Sequence, residues 1–532
     1  MRAPWYVAAV RSLRLAGALL SVCGATLTLA VASKAEDLAD QESAATGATE
    51  ATLGAEAAGT DVPTGPRSRL RYVLQGIEVR GNARTRDRVV LRYVPFRAGD
   101  LLDVNDPELE LTRYRLLGTS FFSSAQLSLR KGDKRGEVIL VIDVVERNTL
   151  VINDMWMGLA GERTNQAVGP PEGVFAYGGL DVAETNLAGT GITLGAAMGV
   201  GIDQFALRTR FFDPAFLGTG WMTAATLLYN DARDFFGNNA VLYQGASSQD
   251  PPKYAVVDYS RFGGSVGAGH DLGIATQLWF DLRVERIHAD LPLAASHLRG
   301  LDREPIAFNV IGGDSVLSTV RGMLIHDTRN EPILPSRGSY ISFTSDTALA
   351  PVGGDYGFTK LQVRGSRWWT LPWKHVARLE LNFGAITGDA PFFEKFYVGD
   401  FTDFLPDRVL DLNFDRRRAP NFLRTDIIEV RYGDYAAKIQ GEYRIPIYRG
   451  HRAVYGIDFF GAAGIYGVAD YRDIVDPPRG YSGFRRIPID LTFNLGFRID
   501  THAGGFVFAF SNLVGLIPVR GGPDVPIGAT RP

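Results

Sequence analysis

Cysteine is almost absent: Cys23 is the only one in 532 residues. That excludes a disulfide framework and leaves no thiolate chemistry to the body of the chain. Histidine is scarce too, with seven at positions 270, 288, 297, 326, 375, 451 and 502, and their spacing is not that of metal ligands. No glycine loop of the phosphate-cradling kind is present, so neither a cofactor nor a metal is expected. There is no basic excess: 56 Lys and Arg stand against 59 Asp and Glu, for a net charge of −3. Nothing in that balance points to nucleic acid. Beyond residue 35 no uninterrupted apolar run is long enough for a transmembrane helix, so a membrane assignment has to rest on strands. Gly263-Gly264-Ser265-Val266-Gly267, with His270 close by, matches the nucleophile elbow of hydrolases in letters only. The elbow needs a strand-turn-helix, whereas here Tyr259, Phe262 and Gly269 give strand texture with no helix after it. No enzyme is expected.

What is abundant is glycine and aromatic side chains: 60 Gly, 31 Phe and 20 Tyr. Together they suit closely packed strands and interfacial girdles better than helices. The N-terminus reads as an export signal over residues 1–32. Arg2, Arg11 and Arg14 form a positive start, Leu15 to Ala32 is apolar or small, and Ala30-Val31-Ala32 fits small-x-small cleavage. The alternative is a membrane anchor, since that run could span. Removing the segment deletes three arginines and no acid, taking the net charge to −6. Residues 33–69, rich in Ala, Thr, Gly and Glu with Pro63 and Pro66, read as a disordered linker.

Residues 70–147 predict a small α/β domain of order β-α-α-β-β. Tyr72 to Val79 make a strand, and Gly81-Asn82 turns it. Thr85 is placed to cap a helix through Val89, Val90 and Leu91. Asn105-Asp106-Pro107 opens a second helix, which Gly118 stops. Two strands, Phe121 to Leu129 and Val138 to Val145, close the domain.

From residue 150 to 515 strict alternation replaces helical periodicity. Ala437, Ile439, Gly441, Tyr443 and Ile445 share one face, while Lys438, Gln440, Glu442 and Arg444 share the other. Ile489 to Ile499 alternate in the same way against Asp490, Thr492, Asn494 and Arg498. Period two makes one face of each strand oily and the other wet. A soluble sandwich would turn the oily faces together, and a membrane barrel would turn them to lipid. Strands of about 9–11 residues, charges of both signs on the wet face and an export signal favour the barrel. At about 23 residues per strand and loop, about sixteen strands are expected, an even number. The fold class is therefore mainly β: a C-terminal transmembrane antiparallel barrel preceded by the small α/β domain, with residues 516–532 as a tail.

The strings Ile77-Glu78-Val79-Arg80-Gly81-Asn82, Gly99-Asp100, Leu116-Leu117-Gly118-Thr119-Ser120-Phe121-Phe122 and Val141 to Glu146 resemble a POTRA domain in order and spacing. In the barrel, Leu180 to Gly191, Phe212 to Thr219, and Asp327-Thr328-Arg329-Asn330 with Pro335-Ser336-Arg337-Gly338 resemble the BamA/TamA superfamily of insertion and secretion barrels, of the surface-antigen type. The resemblance implies a tight periplasmic turn at Asp327, Arg337 and Gly338, the glycine supplying positive φ. Phe393 to Asp400 is similar to the start of that family's long extracellular loop, which folds back into the lumen. The family's Val-Arg-Gly-Phe/Tyr tip is missing, and Phe404 to Val409 stands in its place. Arg408 is then the candidate lock arginine and Asp458 its candidate wall partner, with the family's acid nearer Ala462. Arg408 as an ordinary loop charge is the alternative. Gly505, Phe508 and Phe510 resemble the terminal signal by which barrels are recognised for insertion, although the chain runs on past them, either as a tail or as a strand through Leu513 to Val519.

The resemblance implies insertion, assembly or translocation of unfolded outer-membrane or secreted client proteins across the outer membrane of a Gram-negative bacterium. The POTRA domain would lie in the periplasm and the barrel in the lipid bilayer, with accessory periplasmic or lipoprotein partners. Clients would add a strand to the domain's last strand, at Val138, Leu140, Ile142 and Val144, with its second helix beside it. A single POTRA domain argues for a specialised member. A secretion pore or passive diffusion channel is the alternative, and a surface-exposed adhesive barrel a third class.

Overall fold

A computed structural model describes residues 71–511, apart from 162–173, 202, 237–241, 244–254, 293–294, 349–352, 398–409, 411, 413–420, 430–431 and 451–452. The export signal, the linker, Arg408, the course of the chain through Leu513 to Val519 and the C-terminal tail lie outside the described residues.

The α/β domain runs β1 (Arg71–Arg80), α1 (Asp87–Leu91), β2 (Leu101–Asp103), α2 (Pro107–Gly118), β3 (Phe122–Lys131) and β4 (Glu137–Glu146). The order in the sheet is β2-β1-β4-β3. β4 enters the middle, parallel to β1 and antiparallel to β3. Its sequence Glu-Val-Ile-Leu-Val-Ile-Asp-Val-Val-Glu is the most continuously apolar of the domain, as a central strand requires. Leu140 and Ile142 are fully buried with Leu74, Val90, Leu102, Leu116 and Phe122. The Asp106 side chain accepts from Glu108 N at 2.9 Å and Pro107 takes the first helical position, so α2 starts where expected. Two expectations fail. A short strand, β2, is added between the helices, and Thr85 does not cap α1, whose N-cap is Arg86 without a side-chain bond. Gly81 has φ +83°, and a Cβ there would collide with Val144 O, so only glycine fits.

Strands then follow as β5 (Leu150–Gly161), β6 (Val174–Glu184), β7 (Thr193–Gly201), β8 (Gln204–Asp213), β9 (Trp221–Phe236), β10 (Leu242–Tyr243), β11 (Ala255–Asp271), β12 (Thr276–Asp290), β13 (Ala295–Arg299), β14 (Asp302–Pro305), β15 (Gly313–Asp327), β16 (Gly338–Ala348), β17 (Gly357–Thr370), β18 (Val376–Asp389), β19 (Phe396–Tyr397), β20 (Tyr432–Gly433), β21 (Tyr435–Arg449), β22 (Val454–Ala469), β23 (Ile489–Thr501) and β24 (Gly504–Ser511). Fifteen of them close a barrel; β10, β13 and β14 form a small sheet outside it, and β19 pairs β20. Each barrel strand pairs its chain neighbour antiparallel, and β24 meets β5 in parallel. The count corrects the expected sixteen: among the described residues it is odd, and in an up-and-down barrel an odd count forces the first and last strands to run the same way.

The alternation resolves as a barrel with its oily side out. Lys438, Gln440, Glu442 and Arg444 are buried inside, while Ile439 and Tyr443 are about half exposed outside. Asp490, Thr492 and Asn494 are buried; Phe493, Leu495 and Phe497 are exposed. In a sandwich these apolar side chains would be the buried ones. Short turns crowd one end, the end that carries the α/β domain, and the long connections crowd the other. Gly263 to Gly267 sit inside β11 with no helix after them, which removes the hydrolase elbow.

Candidate functional site

The barrel is closed least where its chain begins and ends. β23 and β24 pair from Asn494↔Ser511 to Thr501↔Gly504, and β5 and β6 from Leu150↔Glu184 to Gly161↔Val174. Between β24 and β5, among the described residues, the register holds one pair, Gly504↔Ile152. It is supported by Ile152 N donating to Ala503 O at 2.5 Å. Backbone groups left unpaired along such a seam are a template for another strand. Of the recognition-signal residues, Phe508 is exposed on the outside, Gly505 faces Ile333 with no room for a Cβ, and the side chain of Phe510 lies outside the described residues.

Behind the seam lies a cavity of about 670 Å³, lined by Ile152, Gly505 and Phe506 of the seam, Ile333 of a short turn, and Tyr93 and Tyr114 of the α/β domain. Burial pushes the Tyr93 hydroxyl up to about 12.

That turn, residues 328–337, is flanked by Asp327 and Gly338. Gly338 has φ +101°, and a Cβ there would collide with Thr328 O. Asp327 holds Arg329 through Nη2 at 2.6 Å and through its backbone N at 3.0 Å. Arg337 does something else. It leaves the turn to pair with Glu110 of α2, its guanidinium 5.4 Å from the ring centre of Tyr114.

Arg337 is one of several ties that seat the α/β domain on the short turns. Arg92 reaches Asp271 at 2.7 Å, Gly220 O at 2.9 Å and Pro214 O at 3.1 Å. Arg115 pairs with the same Asp271 and donates to Ile274 O at 2.8 Å. Asn186 Nδ2 donates to Thr85 Oγ1 at 2.8 Å, fully buried, which is the work Thr85 does in place of capping. Arg147 pairs with Asp500 and donates to Thr501 O at 2.8 Å, beside the seam. Sequence reading passed over Arg92, Arg115, Arg147 and Asp271. The one signal for this joint was Asn186, inside the hairpin motif already singled out.

The inner wall carries paired charges. Glu442 takes Arg498 at 2.7 Å and Arg378 at 3.4 Å. Asp458, 1% exposed, takes Arg449 at 2.5 Å and Arg444 at 3.6 Å, and Arg444 also donates to Pro335 O. The wall acid proposed for Arg408 is thus held by two wall arginines. It shares the inner face with Ala462, as the parity of the strand requires.

The connection between β18 and β21 does return into the lumen. Phe392, Phe393 and Phe396 are buried against inward-facing Tyr259, Ile287 and Phe358. Its fastening among the described residues has the opposite polarity to the expected one. The loop supplies an acid, Glu394, and the wall supplies Arg283 at 2.8 Å and Arg261 at 3.7 Å. Arg261 also bonds Glu285 at 2.6 Å, its guanidinium 4.6 Å from the ring centre of Phe393. At the long-loop end, Lys395 bridges Asp434 at 3.0 Å and Asp470 at 3.2 Å, and Arg299 holds Asp426 at 3.2 Å and Asp473. Burial pushes Asp434 up to about 7, helped by Asp470, and Asp426 up to about 6, against the pull of Arg299.

The expected docking strand needs correction. Val138, Leu140, Ile142 and Val144 are all buried, and β4 is hydrogen-bonded on both sides. An incoming strand has no edge there. The exposed edges of the sheet are β3 and the three-residue β2.

Two family models match the sequence. The Omp85 superfamily domain covers residues 186–404, and the POTRA model, described as surface antigen variable number repeat, covers residues 72–147. The chain is 26% identical over 338 residues to the outer membrane protein assembly factor BamA of Nitratidesulfovibrio vulgaris, a match taking in 63% of this chain. It spans 37% of the length of that relative. Among solved structures, CdiB from Escherichia coli is similar with a TM-score of 0.50 and 11% identity, over 81% of this chain and 70% of that one. BamA from Haemophilus ducreyi lacking POTRA domains 1-3 gives 0.45 and 14%, over 83% of this chain and 81% of that one.

Proposed function

We propose, from the premise that this chain is an outer-membrane barrel of the Omp85 superfamily preceded by a POTRA domain, that it inserts or translocates client proteins by strand addition at its seam. The observation that carries this is the single residue pair, Gly504↔Ile152, joining the last described barrel strand, β24, to the first barrel strand, β5. A polypeptide crossing lipid must satisfy every backbone N–H and C=O, and an open strand edge inside the bilayer offers the partners. The POTRA domain sits at the periplasmic mouth and presents β3 as the edge on which an unfolded outer-membrane or secreted client first pairs. Main-chain bonding accepts varied clients there, because it reads no side chain. The mechanism involves no covalent chemistry and no cofactor. Accessory periplasmic or lipoprotein partners would bind the remaining POTRA surface.

A passive diffusion channel is the competing reading. Phe392, Phe393 and Phe396 fill the lumen toward one end, and the POTRA domain is tied across turns at the other. Both features oppose free passage and favour a barrel that works at its seam.

The test uses the outward residues Met155 and Phe508, on the two seam strands. With Met155→Cys and Phe508→Cys in a Cys23→Ser background, a short bifunctional thiol reagent ties the seam shut. Client assembly in reconstituted vesicles should stop on tying and resume with a cleavable reagent after reduction. Unchanged assembly by the tied barrel would sink the proposal.

A further inference from the structure

The short-turn end of the barrel holds apolar side chains in a backbone conformation that L-residues avoid. Leu217 has φ +53° and Trp373 φ +58°, and each is 84% exposed at the tip of its turn. Left-handed φ is uncommon outside glycine, asparagine and aspartate, and a bulky apolar residue there is a marked outlier. Among the described residues the Trp373 ring meets His375 edge-on at 5.8 Å, and it is still left 84% exposed. Phe216 and Leu187 are exposed beside them on the turns 215–219 and 186–191, continuous with the lipid-facing Leu194 and Leu227. The membrane that wets that outer band therefore reaches these tips.

The POTRA domain brings positive charge to the same place. Its segment 84–89 lies on the turn 186–191: Arg86 N donates to Gly189 O at 3.0 Å, and Val89 leaves no room for a Cβ on Gly191. Arg84, Arg86 and Arg88 are exposed along it. No ion pair to these three guanidinium groups occurs among the described residues. Two carboxylates stand at this segment: Asp87 accepts from Asn82 Nδ2 at 2.6 Å, and Glu146 accepts from the backbone N of Thr85 at 2.7 Å and of Arg84 at 3.0 Å. Trp373 is likewise followed by exposed Lys374. Apolar tips at the interface with cations one layer further out are the pattern of a surface that holds anionic lipid.

We infer that the short-turn end carries an anionic-phospholipid site, in which Arg84, Arg86 and Arg88 take headgroup phosphates while Phe216 and Leu217 enter the acyl boundary. Guanidinium groups suit phosphate because they can donate two parallel bonds. The site would fix the POTRA domain against the leaflet and hold β3 at a set distance from the seam. It rests on the periplasmic placement of the short-turn end.

The test uses the full chain, Cys23→Ser with Ala83→Cys, labelled with an environment-sensitive fluorophore and folded into vesicles. Quenching by headgroup-labelled lipid should be strong in phosphatidylglycerol mixed with phosphatidylcholine and weak in phosphatidylcholine alone, and about 1 M salt should abolish the difference. R84Q/R86Q/R88Q should lose it, R84K/R86K/R88K should keep most of it, and L217S should reduce it. Heat-modifiability on gels checks that each variant has folded. Equal quenching in both vesicles, or a triple glutamine variant that behaves like the parent, overturns the site. Labelling of the Ala83→Cys thiol by an impermeant maleimide in intact cells would overturn the periplasmic placement instead, and the vesicle result would still decide the arginines.

Discussion

Glu394 of the returning loop accepts a 2.8 Å hydrogen bond from Arg283 of the barrel wall, so the acid of this lock is on the loop and the cation on the wall. Both side chains are buried, and Arg261 stands 3.7 Å from the same carboxylate. A charge taken out of water this far is tolerable only while its partner stays charged.

Glu394→Gln should therefore cost more than a surface change. Two buried guanidinium groups would keep Glu285 as their nearest acid and lose the loop. The expected loss is about 3–5 kcal/mol, the range for breaking one side of a buried pair. It should appear as a lower urea midpoint for the heat-modifiable band. A midpoint shift within about 0.5 kcal/mol, typical of surface substitutions, would mean the loop is held elsewhere.

The seating of the POTRA domain depends on Asp271, which serves Arg92 and Arg115 together. Asp271→Asn should loosen the domain while leaving the barrel closed. Limited proteolysis around Asn148 should then be accelerated, with gel mobility of the folded barrel unchanged. Equal cleavage rates would assign the seating to Arg337 and Asn186 instead.

The long-loop end should respond to pH. Asp426 and Asp434 titrate in the folded state near 6 and 7, above the ordinary 3.8, because burial penalises their charged forms. Between these values the folded state binds more protons than the unfolded one, so stability falls as pH rises from about 4 to about 7. The protection of residues 421–436 against hydrogen exchange, taken relative to the intrinsic rate at each pH, should be greater at pH 5 than at pH 8. Asp426→Asn should flatten part of that slope, and an unaltered slope would locate the titration elsewhere.

Client contacts should map to β3 and not to β4. A photo-crosslinking residue at Gln126, on the exposed edge strand, should capture unfolded client in the periplasm. The same residue at Leu140, fully buried, should capture none and should destabilise the domain. Capture from Leu140 in a folded domain would contradict the sheet order.

Gly338→Ala tests the turn. With φ +101° and Thr328 O in the way of a Cβ, the substitution should cost roughly 1–3 kcal/mol. The yield of folded barrel on refolding from urea should fall, and an unchanged yield would mean that the turn can re-form with another geometry.

Much of this molecule was legible from residue order because period-two alternation is a local property. The faces of β21 and β23 follow from which residues are apolar, and the α2 cap follows from Asp106 and Pro107. The oily face itself left barrel and sandwich open, since both use the same pattern; burial of Lys438 and Asp490 with exposure of Tyr443 and Phe497 decided it. Partners far apart in sequence were out of reach. β4 comes last in the POTRA domain yet lies at its centre, because its parallel pairing with β1 spans the whole domain. The odd strand number among the described residues, Asp271 as a shared anchor and Glu394 as the loop's acid are equally non-local. Each depends on which strands close in space and which charges lose water together, and those are settled only when the barrel closes.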